Sequence, residues 1–279
     1  MSTAVHPMAK YLRPGKELTT ACPGCGDGQI AHSILRAIDQ LELDIDDFVF
    51  VCGIGCAGWI PSPYFAADTL HTTHGRPIAF ATGVVLAAPD RRVMVVSGDG
   101  DLTAIGGNHL IHAARRNLDM TVICVNNRIY GMTGGQVAPT TPQGVRTVTT
   151  PNGNPEGSFD LCKLAEAAGA TYVARWTTAH LRQITRAVIQ AMQHQGFSFI
   201  EILSQCPVQY GKLSREGGAV ATLDHFRDNS VTLRRAENLT PEELEGRWLV
   251  GELVAPTSEL VSPPTSEVAD ASTDDGGES

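Results

Sequence analysis

Three observations predict an α/β fold with a doubly wound parallel sheet. Short apolar runs alternate with helix-length segments over most of the chain, the pattern of a sheet covered by helices on both faces. Residues 93–96 and 121–125 are rich in β-branched side chains and lack polar alternation, as strands buried on both faces require. A helical stretch between them makes a strand, crossover helix, parallel strand unit, so the two carboxyl ends lie side by side.

The elements follow in order. Residues 29–41 form an amphipathic helix carrying Ile30, Ile34, Leu35, Ile38 and Leu41. Residues 46–52 read as the first strand, and 77–87 as a helix of small and aliphatic residues that Pro77 suits at its first turn. Strand 93–96, helix 104–117 and strand 121–125 come next. Helix 159–168, strand 171–174, helix 179–193 and strand 197–203 complete a sheet of at least five strands, with no internal repeat.

At 279 residues and 42% hydrophobic, the chain holds one large core or one domain with a tail. Residues 1–210 are read as the folded body, with 1–11 as an arm that packs on a partner. Residues 211–254 read as a more polar extension, helical around 239–249, that reaches another chain. Residues 255–279 read as a disordered acidic tail without core-forming composition. Of the formal charge of −9, six units come from that tail, so −3 remains on the body. Basic residues come in scattered pairs such as Arg91-Arg92 and Arg115-Arg116, which argues against nucleic acid or an anionic membrane as partner. With no secretory pattern at the start and no bilayer-length apolar stretch, a cytoplasmic location is expected.

Chemistry concentrates where the strands end. The run Gly98-Asp99-Gly100-Asp101 is answered by Asn126-Asn127, with Asn127 28 residues after Asp99. Strand tips of this kind open into the crevice where open α/β sheets bind ligands. Gly98 and Gly100 permit a phosphate to come close, and the following helix offers unpaired amides. Asp99 and the Asn127 amide oxygen are hard ligands suited to Mg²⁺ bridging a diphosphate. His74 and Arg76, at a helix start, are candidates for binding anionic groups, and His71 is a weaker one. The stretch from Arg128 to Ser158 has no periodic pattern, and a loop of this length in a compact domain is usually functional. Its first part reads as a wrap over the diphosphate, the remainder as a substrate-side or partner-facing loop.

Seven cysteines, an odd number, argue against a disulfide framework. Cys22 and Cys25 sit three apart on a Pro/Gly-rich loop before the first helix, Cys56 follows the first strand within Gly53-Ile54-Gly55-Cys56, and Cys206 lies just beyond residues 197–203. All four can meet around one metal group. A Cys₄ zinc site and an iron-sulfur cluster both accept this spacing. Cys52, Cys124 and Cys162 read as small buried hydrophobes.

The ordered series Cys22-Pro-Gly-Cys25-Gly, Gly53-Ile-Gly-Cys56, His74-Gly-Arg76, Gly98-Asp-Gly-Asp101, Asn108-His109, His112-Ala-Ala-Arg-Arg-Asn117, and Asn126-Asn127 with Tyr130-Gly-Met-Thr-Gly-Gly-Gln136 resembles the β subunit of the 2-oxoacid:ferredoxin oxidoreductases. The Gly-Asp-Gly and Asn pair also resemble the thiamine diphosphate signature of thiamine-dependent enzymes, which implies the diphosphate-type domain of that fold. By this resemblance Cys22, Cys25, Cys56 and Cys206 hold one 4Fe-4S cluster. Asp99, Asn127 and the main-chain carbonyl of Ile129 hold Mg²⁺ on the diphosphate. Ile54, Gly55, Cys56, His74, Gly98, Gly100, Asp101, Gly131 and Thr133 are the further cofactor-binding positions.

The resemblance implies oxidative decarboxylation of a 2-oxoacid by thiamine diphosphate, with coenzyme A taking the acyl group and electrons leaving through the cluster to ferredoxin. The Thr-Pro-rich loop and Gln205-Cys206-Pro-Val-Gln-Tyr-Gly look most like 2-oxoglutarate members, with pyruvate as the alternative substrate. There is room for only one doubly wound domain, so an α subunit is expected to supply the activating glutamate and much of the coenzyme A site, in an (αβ)₂ assembly. Two rival classes stay in view. A non-redox thiamine decarboxylase subunit leaves the cysteine quartet idle, and a zinc-stabilised scaffold leaves the Gly-Asp-Gly and Asn pair idle.

Overall fold

The computed structural model describes residues 6–16 and 20–255. Its centre is an eight-stranded sheet in the order β2-β1-β3-β4-β6-β5-β8-β7. The strands are β1 (Phe48–Cys52), β2 (Asp68–His71), β3 (Arg92–Gly98), β4 (Met120–Asn126), β5 (Tyr172–Thr177), β6 (Phe197–Leu203), β7 (Ser230–Thr232) and β8 (Trp248–Val254). From β2 through to β5 every pairing is parallel; β8 then runs antiparallel to β5, and β7 pairs parallel with β8.

Successive residues of the inner strands feed opposite faces, as the pleat demands. Met94 and Val96 join one core while Val93 and Val95 join the other, and Ile123 and Val125 alternate with Val122 and Cys124 in the same way. The first face is covered by α1 (Asp27–Gln40), the second by α2 (Pro77–Ala87), α3 (Gly107–Arg115) and α4 (Leu161–Ala167); α5 (Leu181–Gln193) returns to the first. Ile30, Ile34 and Ile38, at helical spacing on α1, are fully buried, each worth about 1.5–3 kcal/mol of apolar transfer. Cys52, Cys124 and Cys162 are buried.

Helix α2 is different. It is apolar all round, yet only one side meets the sheet, and Phe80 and Leu86 stay exposed.

Several expectations change. The helix expected over 104–117 is a π-turn, Asp101–Ile105, followed by α3. The described end of the arm packs on the body: Pro7–Tyr11 is a short 3₁₀ turn, Met8 and Tyr11 are buried in the core that α1 also enters, and the Tyr11 hydroxyl donates to Asp39 at 2.9 Å, while residues 1–5 lie outside the described residues. The largest difference lies after residue 210. Here α6 (Tyr210–Ser214) and α7 (Ala219–Asn229) lead into β7, two single-turn helices α8 (Leu233–Ala236) and α9 (Pro241–Leu244), and then β8. The helix expected around 239–249 shrinks to the single turn of α9, and a strand begins at Trp248, where the run Trp248–Val254 finds the open edge of β5. Residues 211–254 complete the body's own sheet. The acidic tail, from 256 onward, lies outside the described residues.

Candidate functional site

The chain leaves β1 toward β2 and leaves β3 toward β4, so the carboxyl ends of β1 and β3 form a topological switch point, where a crevice opens above the sheet. The loops after these strands are packed without slack. A Cβ on Gly53 would stand 1.9 Å from Asp101 Oδ2 and 2.5 Å from Ser97 Oγ, so no side chain fits there. Asp101 is the hub. Its Oδ1 accepts from the Gly75 amide at 2.7 Å and from the Ile54 amide at 3.3 Å, and its Oδ2 accepts from the Ser97 hydroxyl at 2.7 Å. His74 Nδ1 lies 3.2 Å from the same Oδ1, out of hydrogen-bond alignment. Asp101, expected among the cofactor contacts, thus ties together the loops after β1, β2 and β3.

Asp99 is buried, and its Oδ2 accepts from the Thr140 hydroxyl. Burial pushes its carboxyl up to about 7, against the pull of the Thr140 hydroxyl and the amides of Asp99 and Gly100. The groups that favour its charge are neutral donors, not a basic side chain. Such a carboxylate is a fit partner for a cation. Gly100 is required by close approach: its Cβ would be 2.4 Å from the Tyr130 ring, whose hydroxyl donates to the Gly100 carbonyl at 3.1 Å. Gly98 and Gly100 both lack positive φ, so neither is there for conformational freedom.

At the end of β4, Asn126 and Asn127 face different jobs. Asn126 donates to Glu201 Oε1 at 2.7 Å and accepts from the Arg128 amide at 3.0 Å, while Glu201 in turn accepts from Arg175 Nε at 2.6 Å. Asn127 Oδ1 accepts from the Ile129 amide at 3.1 Å, and the turn passes through Arg128 at φ 63°.

The thiols gather beside this turn. Cys22, Cys25, Cys56 and Cys206 line one cavity of about 970 Å³ together with Asn127 and Gly131. The Cys25 amide bonds the Cys22 carbonyl at 2.9 Å, and the Gly26 amide bonds the Gln205 carbonyl at 3.1 Å, which draws the first pair against the loop of Cys206. Burial pushes the Cys56 thiol up to about 12, with Asp27, Cys206 and Cys22 adding to the effect, and moves Cys25 up as well. Asp27, buried next to Cys25, is raised to about 6 by desolvation. Thiols held neutral this way become ligands once a metal group supplies positive charge. Among the described residues no three His, Cys, Asp or Glu side chains converge closely enough to hold one metal ion. A Cβ on Gly131 would lie 3.6 Å from Asn127 Nδ2, 3.6 Å from Cys206 Sγ and 3.9 Å from Cys56 Sγ. Carboxylate-amide set and thiol set therefore adjoin, one small residue apart.

Residues 53–202 match the family model described as thiamine pyrophosphate enzyme, C-terminal TPP binding domain. The 2-oxoglutarate synthase subunit KorB of Methanocaldococcus jannaschii is 51% identical over 90% of this chain and 92% of its own. The present chain belongs to the β subunits of the 2-oxoacid:ferredoxin oxidoreductases. The corresponding KorB subunit of Mycobacterium tuberculosis is 41% identical over 76% of this chain and 59% of its own. A solved structure of the 2-oxoglutarate:ferredoxin oxidoreductase from Magnetococcus marinus, with 2-oxoglutarate, coenzyme A and succinyl-CoA bound, has a TM-score of 0.79 and 32% identity, covering 92% of this chain and 88% of that one.

In this β subunit other expected residues fall less centrally. Arg76 reaches back to the Ile105 carbonyl at 3.1 Å, where it closes the π-turn, and His71 is exposed on β2. Thr133 is exposed and bonded to Gln136 at 2.6 Å; Ile54 is exposed, and Gly55 holds φ 138° with open space around it. Residues 127–160 contain no helix or strand, but the segment is held by threonines: Thr141 Oγ1 donates to the Arg128 carbonyl at 2.7 Å, and the Val148 amide bonds the Gly135 carbonyl at 2.9 Å. Thr140, Glu201, Arg128 and Glu216 escaped the sequence reading. Arg128 carried a usable signal, since it stands between two expected metal ligands; Thr140 carried none.

Proposed function

We propose that this chain works with an α subunit as a 2-oxoglutarate:ferredoxin oxidoreductase: 2-oxoglutarate, coenzyme A and two oxidised ferredoxins give succinyl-CoA, CO₂, a proton and two reduced ferredoxins. The names of the relatives and the ligands bound in the Magnetococcus marinus enzyme support the substrate assignment. Thiamine diphosphate supplies the carbanion chemistry when bound. Asp99, Asn127 and the Ile129 carbonyl are the proposed Mg²⁺ ligands, and Ile54, Gly55, His74, Gly98, Gly100, Gly131 and Thr133 the proposed lining. Thr140 orients the Asp99 carboxylate, and Asn126 braces the turn from below.

Cys22, Cys25, Cys56 and Cys206 are the proposed ligands of a 4Fe-4S cluster. Four thiols lining one cavity of about 970 Å³ offer the ligand number and the room that a polynuclear group uses. The observation that carries the reading is the junction at Gly131, where Asn127 and the sulfurs of Cys56 and Cys206 lie within 4 Å of one point. Exposed Phe80 and Leu86 on α2, with Ile105 in the π-turn and Ile111 on α3, support burial against an α subunit, and residues 211–254 are proposed to offer it their outer side.

The test is composition. The complex, co-purified anaerobically with its α subunit, is expected to hold about four irons with sulfide and one thiamine diphosphate per β chain. It should reduce ferredoxin with 2-oxoglutarate faster than with pyruvate. Zinc without iron would return the thiols to a structural role and remove the redox reaction.

A further inference from the structure

Arg128 stands between Asn127 and Ile129 and is fixed at every level. Its backbone sits at φ 63°, a region that a residue with a Cβ enters at a cost. Its amide donates to Asn126 Oδ1 at 3.0 Å, and its carbonyl accepts from Thr141 Oγ1 at 2.7 Å. Its side chain is buried, an unusual place for a guanidinium. There it makes two parallel bonds to Glu216, Nη1 to Oε1 at 3.1 Å and Nη2 to Oε2 at 2.9 Å, and stacks over the Tyr210 ring at 4.0 Å. Phe226 and Trp248 close the sides at 5.6 and 5.5 Å. The Tyr210 hydroxyl also donates to Glu216 Oε1, at 3.1 Å.

These partners belong to the segment of Cys206. Tyr210 opens α6 four residues after that cysteine, and the next amide, Gly211, bonds the Cys206 carbonyl at 2.9 Å. A second contact points the same way: a Cβ on Gly135, at the far side of the loop after β4, would stand 2.6 Å from Leu213 of α6.

We propose that Arg128 is a positioning residue that, through Glu216 and Tyr210, sets the turn of Asn127 and the segment of Cys206 relative to one another. The inference rests on the assignment of Mg²⁺ and thiamine diphosphate to the first and of the cluster to the second. A buried ion pair is a weak source of stability, whereas a planar fork with two bonds and a stacked face fixes angle as well as distance. The coupling is reciprocal: whatever loosens the clamp disturbs both centres.

The experiment uses the anaerobic αβ complex with R128M, R128K and the milder E216Q. Mg²⁺-dependent binding of thiamine diphosphate is titrated after metal stripping, iron and sulfide are counted, and the dithionite-reduced cluster is recorded by EPR. R128M is expected to weaken Mg²⁺-dependent binding roughly 10–100-fold, the range for groups that orient metal ligands, and to change the EPR line shape in the same sample. R128K is expected to behave like R128M, since a point charge cannot keep both bonds and the stack; E216Q shifts both readouts in the same direction, less far. Unchanged binding and EPR in the variants would overturn the proposal, as would a change confined to one centre, a lower melting temperature alone, or full rescue by R128K. An unmodified complex without iron or without thiamine diphosphate binding would remove the site assignment itself, and the inference with it.

Discussion

On the carboxylate side of the crevice the groups are already satisfied: Asp99 is 2% exposed and bonded to Thr140, Asn127 holds the Ile129 amide, and Asn126 is braced by Glu201. On the thiol side Cys22 is exposed, and Cys25, Cys56 and Cys206 are half-buried around open space. One half is preorganised by hydrogen bonds from its own chain. The other is preorganised mainly in its backbone, through the Cys22 turn and the Gly26 to Gln205 bond, with Asp27 bonded to the Cys25 thiol as its side-chain support. Preorganised polar sites lose function when a supporting donor is removed, whereas thiolate sites lose it with a ligand.

Substitutions that attack one side alone break or sharpen that contrast. Cys56→Ser and Cys206→Ser are expected to have the largest effect: loss of iron and of ferredoxin reduction beyond the roughly 10–100-fold that outer-shell changes cost, with thiamine diphosphate binding kept. Metal analysis and equilibrium dialysis on one sample check this, and coupled loss of the two groups would mean that the halves are not separately built. Asp99→Asn should give the converse, Mg²⁺-dependent binding reduced on the order of 100-fold with iron retained. Thr140→Val removes only the donor to Asp99 Oδ2; a loss of roughly tenfold in Mg²⁺ affinity, read by titration, is expected.

The smallest effect is on stability. In the metal-free chain Asp99 and Asp27 are raised by burial to about 7 and about 6, so the folded state keeps protons that the unfolded state has already released. Stability is therefore fullest at acid pH and falls as pH rises from about 4 towards about 7, by at most about 1.4 kcal/mol per unit per group. Melting temperatures between pH 5 and 8 should decline, and Asp99→Asn should flatten the upper part of that slope. A melting temperature that climbs over this range in the metal-free chain would contradict the burial of both carboxyls.

The parts of this site that could be read from sequence are those where chemistry and position coincide. Asp99 and Asn127 follow β-branched runs, Cys56 and Cys206 lie just past strand ends, and Cys22 and Cys25 sit three apart on a Pro/Gly-rich loop before the first helix, a pattern that points to one crevice. Asp101 has a bracing role that its Gly-Asp-Gly-Asp context does not disclose, because the Gly75, Ile54 and Ser97 donors to its oxygens come from three different segments. Arg128 and Glu216 are 88 residues apart and meet only through the fold. The same holds for Thr140 and Asp99, whose contact depends on a loop ordered by threonine hydroxyls rather than by a periodic pattern. Strand β8 is not legible in advance, because Trp248–Val254 is a short apolar run, equally consistent with helix or strand until an open edge of β5 is available to it; only Trp248 and Leu249 overlap the helix expected around 239–249.

That edge has a consequence for the molecule in solution. The inner strands β3, β4 and β6 are seven residues long, but β2 has four and β7 three, so the sheet tapers at both margins. An unpaired strand margin is a template for another chain's backbone, and brevity limits how much ladder a stranger can add. By turning back antiparallel, β8 and β7 replace the six-residue flank of β5 with a stub, and Asp68 with its Arg91 partner sets charge on the opposite one. Self-association through added strands is thus discouraged at either margin.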